Sequence, residues 1–108
     1  MPANKYGAKK TEIDGFVFAS RGEGRRYSEL KLLEMAGEIR DLELQPRFPC
    51  MVNGILVCDY IADFRYFDKA KNGIVVEDFK SEATKKIAVY RLKKKLVEAI
   101  YKIKIAEV

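Results

Sequence analysis

Between Leu42 and Lys80 the chain runs as three extended segments in succession, each closed by a turn signal. Segment 42–48 (LELQPRF) alternates apolar and polar residues, as a half-buried strand does. Pro46 has no N–H to give to a ladder, which puts that strand at a sheet edge or a bulge. Asn53-Gly54 is a hairpin turn signal and opens a second extended run over 55–67. Residues 69–73 form a hairpin loop, and 74–80 (IVVEDFK) is the third strand. Strands joined by connections this short pair antiparallel, so the middle of the chain is a three-strand meander.

The flanks supply the layers that cover it. Segment 13–19 (IDGFVFA) reads as a short strand after a turn at Asp14-Gly15. Ser20 can cap a helix, and Glu23 three residues on completes a capping box. That helix runs over 20–36 and stops at Gly37. Gly22 and Gly24 weaken its first turn by up to ~1 kcal/mol each relative to Ala. A second helix is expected over 82–100, with Ala88, Val89, Leu92, Leu96, Ala99 and Ile100 on one face. Residues 102–108 (KIKIAEV) alternate as a last strand. The expected fold is α/β: a mixed sheet, made of the antiparallel meander and an additional strand, flanked by two helices. A chain of 108 residues holds one such domain, here 12–108. Residues 1–11 are polar and basic and read as a flexible arm.

Composition narrows the chemistry. There is no histidine, so Ser-His-Asp and Cys-His catalysis and imidazole-ligated zinc are excluded. Acid-base or metal chemistry must rest on carboxylates and lysine, and oxygen ligands favour hard ions such as Mg²⁺ or Mn²⁺. Cys50 and Cys58 lack the spacing of a metal or redox pair and read as reduced core thiols. A net charge of +5 is compatible with a nucleic-acid partner. The N-terminus has no apolar core of a signal peptide and no run is long enough to span a bilayer, so no membrane is expected and the location is expected to be cytoplasmic.

The candidate site is built on the third strand. Alternation sends Asp78 and Lys80 to one face and Glu77 to the other. An acid and a lysine two apart on a strand can reach one metal-bound water. The preceding strand carries Asp63, which the hairpin can bring beside Asp78. Two carboxylates that close repel and favour a divalent cation. The Phe79 carbonyl is a nearby third oxygen. Glu23 shares a helix face with Tyr27 and Leu30 and so faces the sheet. Each residue also has a plainer role open to it: Asp63 and Lys80 as a cross-strand ion pair, Glu23 as the capping acid, Gln45 as a solvated edge residue. Glu77, Glu29 and Glu34 are assigned to solvated or structural roles.

The pieces FVFASRGEGRRYSELKLLE, LELQPRF, YIADF and IVVEDFK, in this order, resemble the PD-(D/E)XK nuclease superfamily. Within it the chain is similar to a family of small phage proteins of largely unassigned function. The spacing also looks like that of TnsA-type transposon endonucleases and archaeal Holliday junction resolvases. The resemblance implies a restriction-endonuclease-like core and a metal-dependent DNA endonuclease. Asp63 takes the place of the motif's first aspartate, Asp78 that of its D/E, Lys80 that of its lysine and Glu23 that of the helix acid. Gln45 stands where related nucleases often carry a glutamine. Asp63, Asp78, Glu23 and Phe79 would be the metal ligands. Ala62 departs from the motif's proline, which shapes backbone rather than chemistry. Arg25, Arg26, Arg91, Lys94 and Lys95 are candidates for phosphate contacts. A homodimer is expected by analogy alone. The alternative expectation is a DNA-binding or assembly module that keeps the fold without the chemistry.

Overall fold

A computed structural model describes residues 10–108. It is a mixed α/β structure with a four-stranded mixed sheet, two two-stranded ribbons and three helices among the described residues. The expected arm lies outside the described residues except for Lys10 and Thr11, and Thr11 opens a strand.

That strand corrects the reading of 13–19. β1 (Thr11–Ile13) and β2 (Phe16–Phe18) pair antiparallel, Ile13 opposite Phe16. Asp14 and Gly15, both at positive φ, form the two-residue tip. The signal expected before a strand is therefore the turn inside a hairpin, because two left-handed residues match the twist of paired strands.

α1 (Arg21–Met35) begins and ends as expected. The Ser20 hydroxyl accepts the Glu23 N–H at 3.1 Å, and Gly37 at φ 80 closes the C-terminal end. Its glycines serve close packing. A Cβ on Gly22 would overlap the Phe79 ring, and one on Gly24 would stand 3.0 Å from Ile13 Cδ1 in β1.

The meander is present, with one alteration. Both of its first two strands are broken in two, giving β3 (Ile39–Leu44), β4 (Arg47–Val52), β5 (Ile55–Ile61) and β6 (Phe64–Asp68). The breaks face each other. Gln45 adopts φ 52 before Pro46, and its N–H donates to the Asp63 carbonyl at 2.9 Å. The Ala62 N–H donates to the Pro46 carbonyl at 3.1 Å. A left-handed residue followed by a residue with no N–H cannot continue a ladder. Below the break, β3 and β6 join β7 (Gly73–Asp78) and the parallel β8 (Ile105–Glu107), in the order β3-β6-β7-β8. Beyond it, β4 and β5 form a separate ribbon that packs on α3 (Ala88–Tyr101).

The expected second helix is likewise two. α2 (Glu82–Lys85) is a single turn capped by Ser81, and an extended Ile87 separates it from α3. The face that α3 buries also differs from expectation. Val97 is buried, with Tyr90 and Leu96 against the core, while Val89 and Leu92 are 62% and 69% exposed. Tyrosine hydroxyls decide the rotation: Tyr101 donates to the Pro49 carbonyl and Tyr90 to Glu107, both at 2.7 Å. A partly covered ring whose polar tip is satisfied turns toward the strands in place of the aliphatic stripe.

The sheet carries a core on each face. Phe18, Tyr27, Leu30, Ile39, Phe64 and Tyr66 fill the α1 side. Phe48, Cys50, Tyr60, Ala62, Val76, Val97 and Ile105 fill the α3 side. Glu77, buried at the first core, is ion-paired with the partly buried Arg26, which donates to both Glu77 oxygens, at 2.8 and 2.6 Å, and the Tyr66 hydroxyl donates to Glu77 as well. Glu77 is thus structural and buried rather than solvated. Removing one partner of such a pair strands the other charge at a cost of about 3 kcal/mol or more. Arg26→Met should therefore lose about 3 kcal/mol in urea unfolding. Arg25→Met, on the exposed next residue, should stay within about 0.5 kcal/mol of wild type.

Candidate active site

Asp63 occupies the break between β5 and β6, and its backbone is tied on both sides. Its carbonyl accepts from Gln45, and its N–H donates to the Glu77 carbonyl of β7 at 3.1 Å. The side chain is oriented by the Phe79 N–H, which donates to Oδ2 at 2.7 Å. Phe79 therefore meets Asp63 through its N–H, and its ring lies over Gly22 of α1.

Strand alternation separates Glu77 from Asp78 as the sequence requires. Glu77 enters the α1 core, and Asp78 is fully buried on the side of Tyr60. The Tyr60 hydroxyl donates to Asp78 Oδ2. Asp78 Oδ1 is buried without a hydrogen-bond partner, and Lys80 Nζ stands 3.4 Å away. Lys80 also lies over the Tyr90 ring, 5.5 Å from its centroid.

Burial pushes the Asp78 carboxyl up to about 7, against the lowering effects of the Tyr60 hydroxyl and the Lys80 charge. The neighbouring Asp63 adds to the rise. Asp63 is itself raised, first by burial and then by the charge of Glu23, while the Phe79 N–H and Asp78 hold it down. Burial, followed by Asp78 itself, raises the Tyr60 phenol far above its ordinary range, so Tyr60 remains a donor.

Glu23 is buried in the first turn of α1, accepting the Ala19 N–H at 3.3 Å. It lines two adjoining clefts, of about 340 and 350 Å³, together with Gln45 and Asp63. The fold thus brings Asp63, Asp78 and Lys80 together and sets Glu23 and Gln45 beside Asp63. Among the described residues, no three His, Cys, Asp or Glu side chains are grouped tightly enough to hold a metal ion by themselves. What suits a hard cation is Asp78 Oδ1, which has Lys80 Nζ at 3.4 Å but accepts no hydrogen bond, next to a second carboxylate, an all-oxygen donor set.

The basic candidates divide. Arg26 is committed to Glu77, and Lys94 is 3.5 Å from Glu107. Arg25, Arg91 and Lys95 are exposed and make no ion pair among the described residues. Arg91 and Lys95 line a shallow groove on α3 with Ala88 and Leu92. Sequence reasoning missed Tyr60 and Tyr90. The signal for Tyr60 was its two-residue spacing from Cys58 and Ala62, which puts it on the core face of β5.

The pH dependence of stability follows from Asp78. Folded, it keeps its proton to about pH 7, and unfolded it releases it near pH 4. The folded state binds more protons across that window, so stability should fall as pH rises from about 4 to about 7 and then level. One group contributes at most ~1.4 kcal/mol per pH unit. Urea unfolding in EDTA across this range should show the decline, and Asp78→Asn should flatten it. A variant with the wild-type profile would place the titration elsewhere.

No curated protein and no solved structure matches the chain closely enough to count as a relative. A family model described as "Protein of unknown function (DUF1064)" matches residues 3–107, nearly the whole chain. The chain belongs to that DUF1064 family.

Proposed function

We propose that this chain is a metal-dependent DNA endonuclease with a restriction-endonuclease-like core of the PD-(D/E)XK type. The observation that carries the reading is Asp78: a fully buried carboxylate beside Asp63, one of whose oxygens accepts no hydrogen bond and faces Lys80 Nζ at 3.4 Å. Folding leaves a buried polar atom unsatisfied at a cost, and such atoms concentrate where a ligand completes them.

Asp63 and Asp78, with Glu23 and the Phe79 carbonyl, would hold Mg²⁺ or Mn²⁺. Bound there, the ion polarises a phosphate and lowers the pKa of water. The protein's own contribution is positional. Tyr60 and the Phe79 N–H fix the two carboxylates by their inner oxygens. Lys80 directs the attacking water and offsets the charge that builds on the phosphate. Gln45, on the cleft wall beside Asp63, offers an amide to the phosphate or to that water. Arg25, Arg91 and Lys95 supply charge that positions the backbone without reading sequence.

A panel of linear, nicked, flapped and four-way DNAs with Mg²⁺, Mn²⁺ or EDTA tests the reading. Cleavage should require the metal. Lys80→Ala and Asp78→Asn should each lower its rate by about 10²–10³ while leaving most DNA affinity in Ca²⁺ intact. Calorimetry should show Mg²⁺ binding that weakens in Asp78→Asn. Wild-type rates in Lys80→Ala would overturn the mechanism. No cleavage of any DNA by wild type would leave a DNA-binding module. Arg91→Ala combined with Lys95→Ala should lower the logarithmic salt slope of DNA binding by about two. An unchanged slope would take DNA off α3.

A further inference from the structure

The β1–β2 hairpin presents apolar side chains to the cleft that the cores do not need. Phe18 turns inward and is buried against Tyr27, with ring centroids 5.0 Å apart. Phe16, on the same face of the strand, is 48% exposed, and Val17 is 59% exposed. Both line the cleft that also holds Glu23, Gln45 and Asp63. Ordinary surface residues at a hairpin tip are polar, and these two instead place an aromatic ring and an aliphatic branch at the mouth of a charged site.

The hairpin is also held still. Phe16 is braced by Tyr27, ring centroids 5.9 Å apart, which leaves part of its surface open. The Tyr27 hydroxyl donates to the Asp14 carboxylate at 2.9 Å and fixes the tip. The absence of a side chain on Gly24 lets Thr11 and Ile13 pack directly on α1, the helix that carries Glu23. Phe16 therefore has a set position relative to the acidic cluster, as a recognition residue must if it is not to lose affinity to its own ordering. Lys10 lines the adjoining cleft and provides a cation near the same mouth.

We propose that this hairpin is a base-stacking lip. Phe16 takes the face of an unpaired nucleobase, so the DNA entering the cleft is single-stranded, flapped or branched at that point. The inference rests on the cleft being a DNA site and adds the substrate class. In a continuous duplex both faces of every base are covered by their neighbours, and an aromatic ring at the groove has nothing to stack on. In an unpaired nucleotide the face is open, and an aromatic platform takes any base without regard to sequence.

The test is a binding measurement in Ca²⁺ without cleavage, on the full chain. The DNAs are a flap carrying 2-aminopurine in its unpaired arm and a matched continuous duplex. The proteins are wild type, Phe16→Ala and Phe16→Tyr. Wild type should quench the 2-aminopurine and favour the flap. Phe16→Ala should lose the quenching and about tenfold in flap affinity, with duplex affinity unchanged. Phe16→Tyr should restore both. Phe16 is half exposed, so Phe16→Ala should fold, and its thermal melting is to be compared with wild type. Equal losses on flap and duplex, or quenching that survives Phe16→Ala, would overturn the stacking lip. So would a concentration-dependent dimer in sedimentation that Phe16→Ala abolishes, since the ring would then be covered by a second copy. Because no cutting is involved, a protein that stacks but never cleaves would sustain this inference and defeat the hydrolytic reading, and one that cuts without stacking would do the reverse.

Discussion

The break at Asp63 organises the molecule. A single residue closes β3 through its carbonyl, joins β7 through its N–H and turns its carboxylate to the Phe79 N–H. Were the strand to run on, Ala62 and Asp63 would take regular ladder positions and the carboxylate would point out of one sheet face. The left-handed Gln45 and the donor-less Pro46 opposite prevent that. They divide two long strands into a half that builds the sheet and a half that wraps α3. At the division the Phe79 N–H is free of the ladder and holds the Asp63 carboxylate. Such interruptions re-aim side chains at a modest cost in pairing.

Two adjacent buried acids on β7 are treated in opposite ways. Glu77 meets a bidentate guanidinium and a tyrosine hydroxyl, so its charge is matched and its oxygens are filled. Asp78, one residue on and on the other face, receives a single hydroxyl and a lysine beyond hydrogen-bond length. Full compensation fixes the first as a structural strut between α1 and the sheet. Incomplete compensation lifts the second toward neutrality, with burial the main cause. The contrast is local: one acid has its charge and oxygens matched by the fold and its neighbour does not.

The order of elements and the faces of β7 were legible in the sequence, because period-two alternation is set by backbone geometry and not by packing partners. The ends of α1 were legible for the same kind of reason: Ser20 and Gly37 act locally. The break at Gln45-Pro46 was half legible. Pro46 announced an irregularity, but that Ala62-Asp63 would answer it depends on register, which only the paired strands determine. The rotation of α3 was not legible, since the hydroxyls of Tyr90 and Tyr101 found partners 17 and 52 residues away in sequence. The hairpin was misread because Asp14-Gly15 signals a turn without saying on which side its strand lies. Tyr60, the hydrogen-bond partner of Asp78, sat in view as one more apolar-face aromatic.

Gly22 shows how the two ends of the site are joined. By propensity a glycine there costs the helix up to about 1 kcal/mol, and a second at Gly24 repeats the cost. The return is contact. Without a Cβ at Gly22 the first turn of α1 can lie directly on the Phe79 ring, and Phe79 is the residue between Asp78 and Lys80. Its backbone N–H faces Asp63 while its ring faces the helix. Glu23, the residue after Gly22, is thereby carried to the cleft wall it shares with Asp63, though the two lie 40 positions apart in the chain. The helix N-terminus also suits an anion at that place, because its free N–H groups and dipole favour negative charge. The glycines, the phenylalanine and the acid are one device: weak local helix propensity exchanged for a close approach that sets Glu23 on the cleft wall beside Asp63.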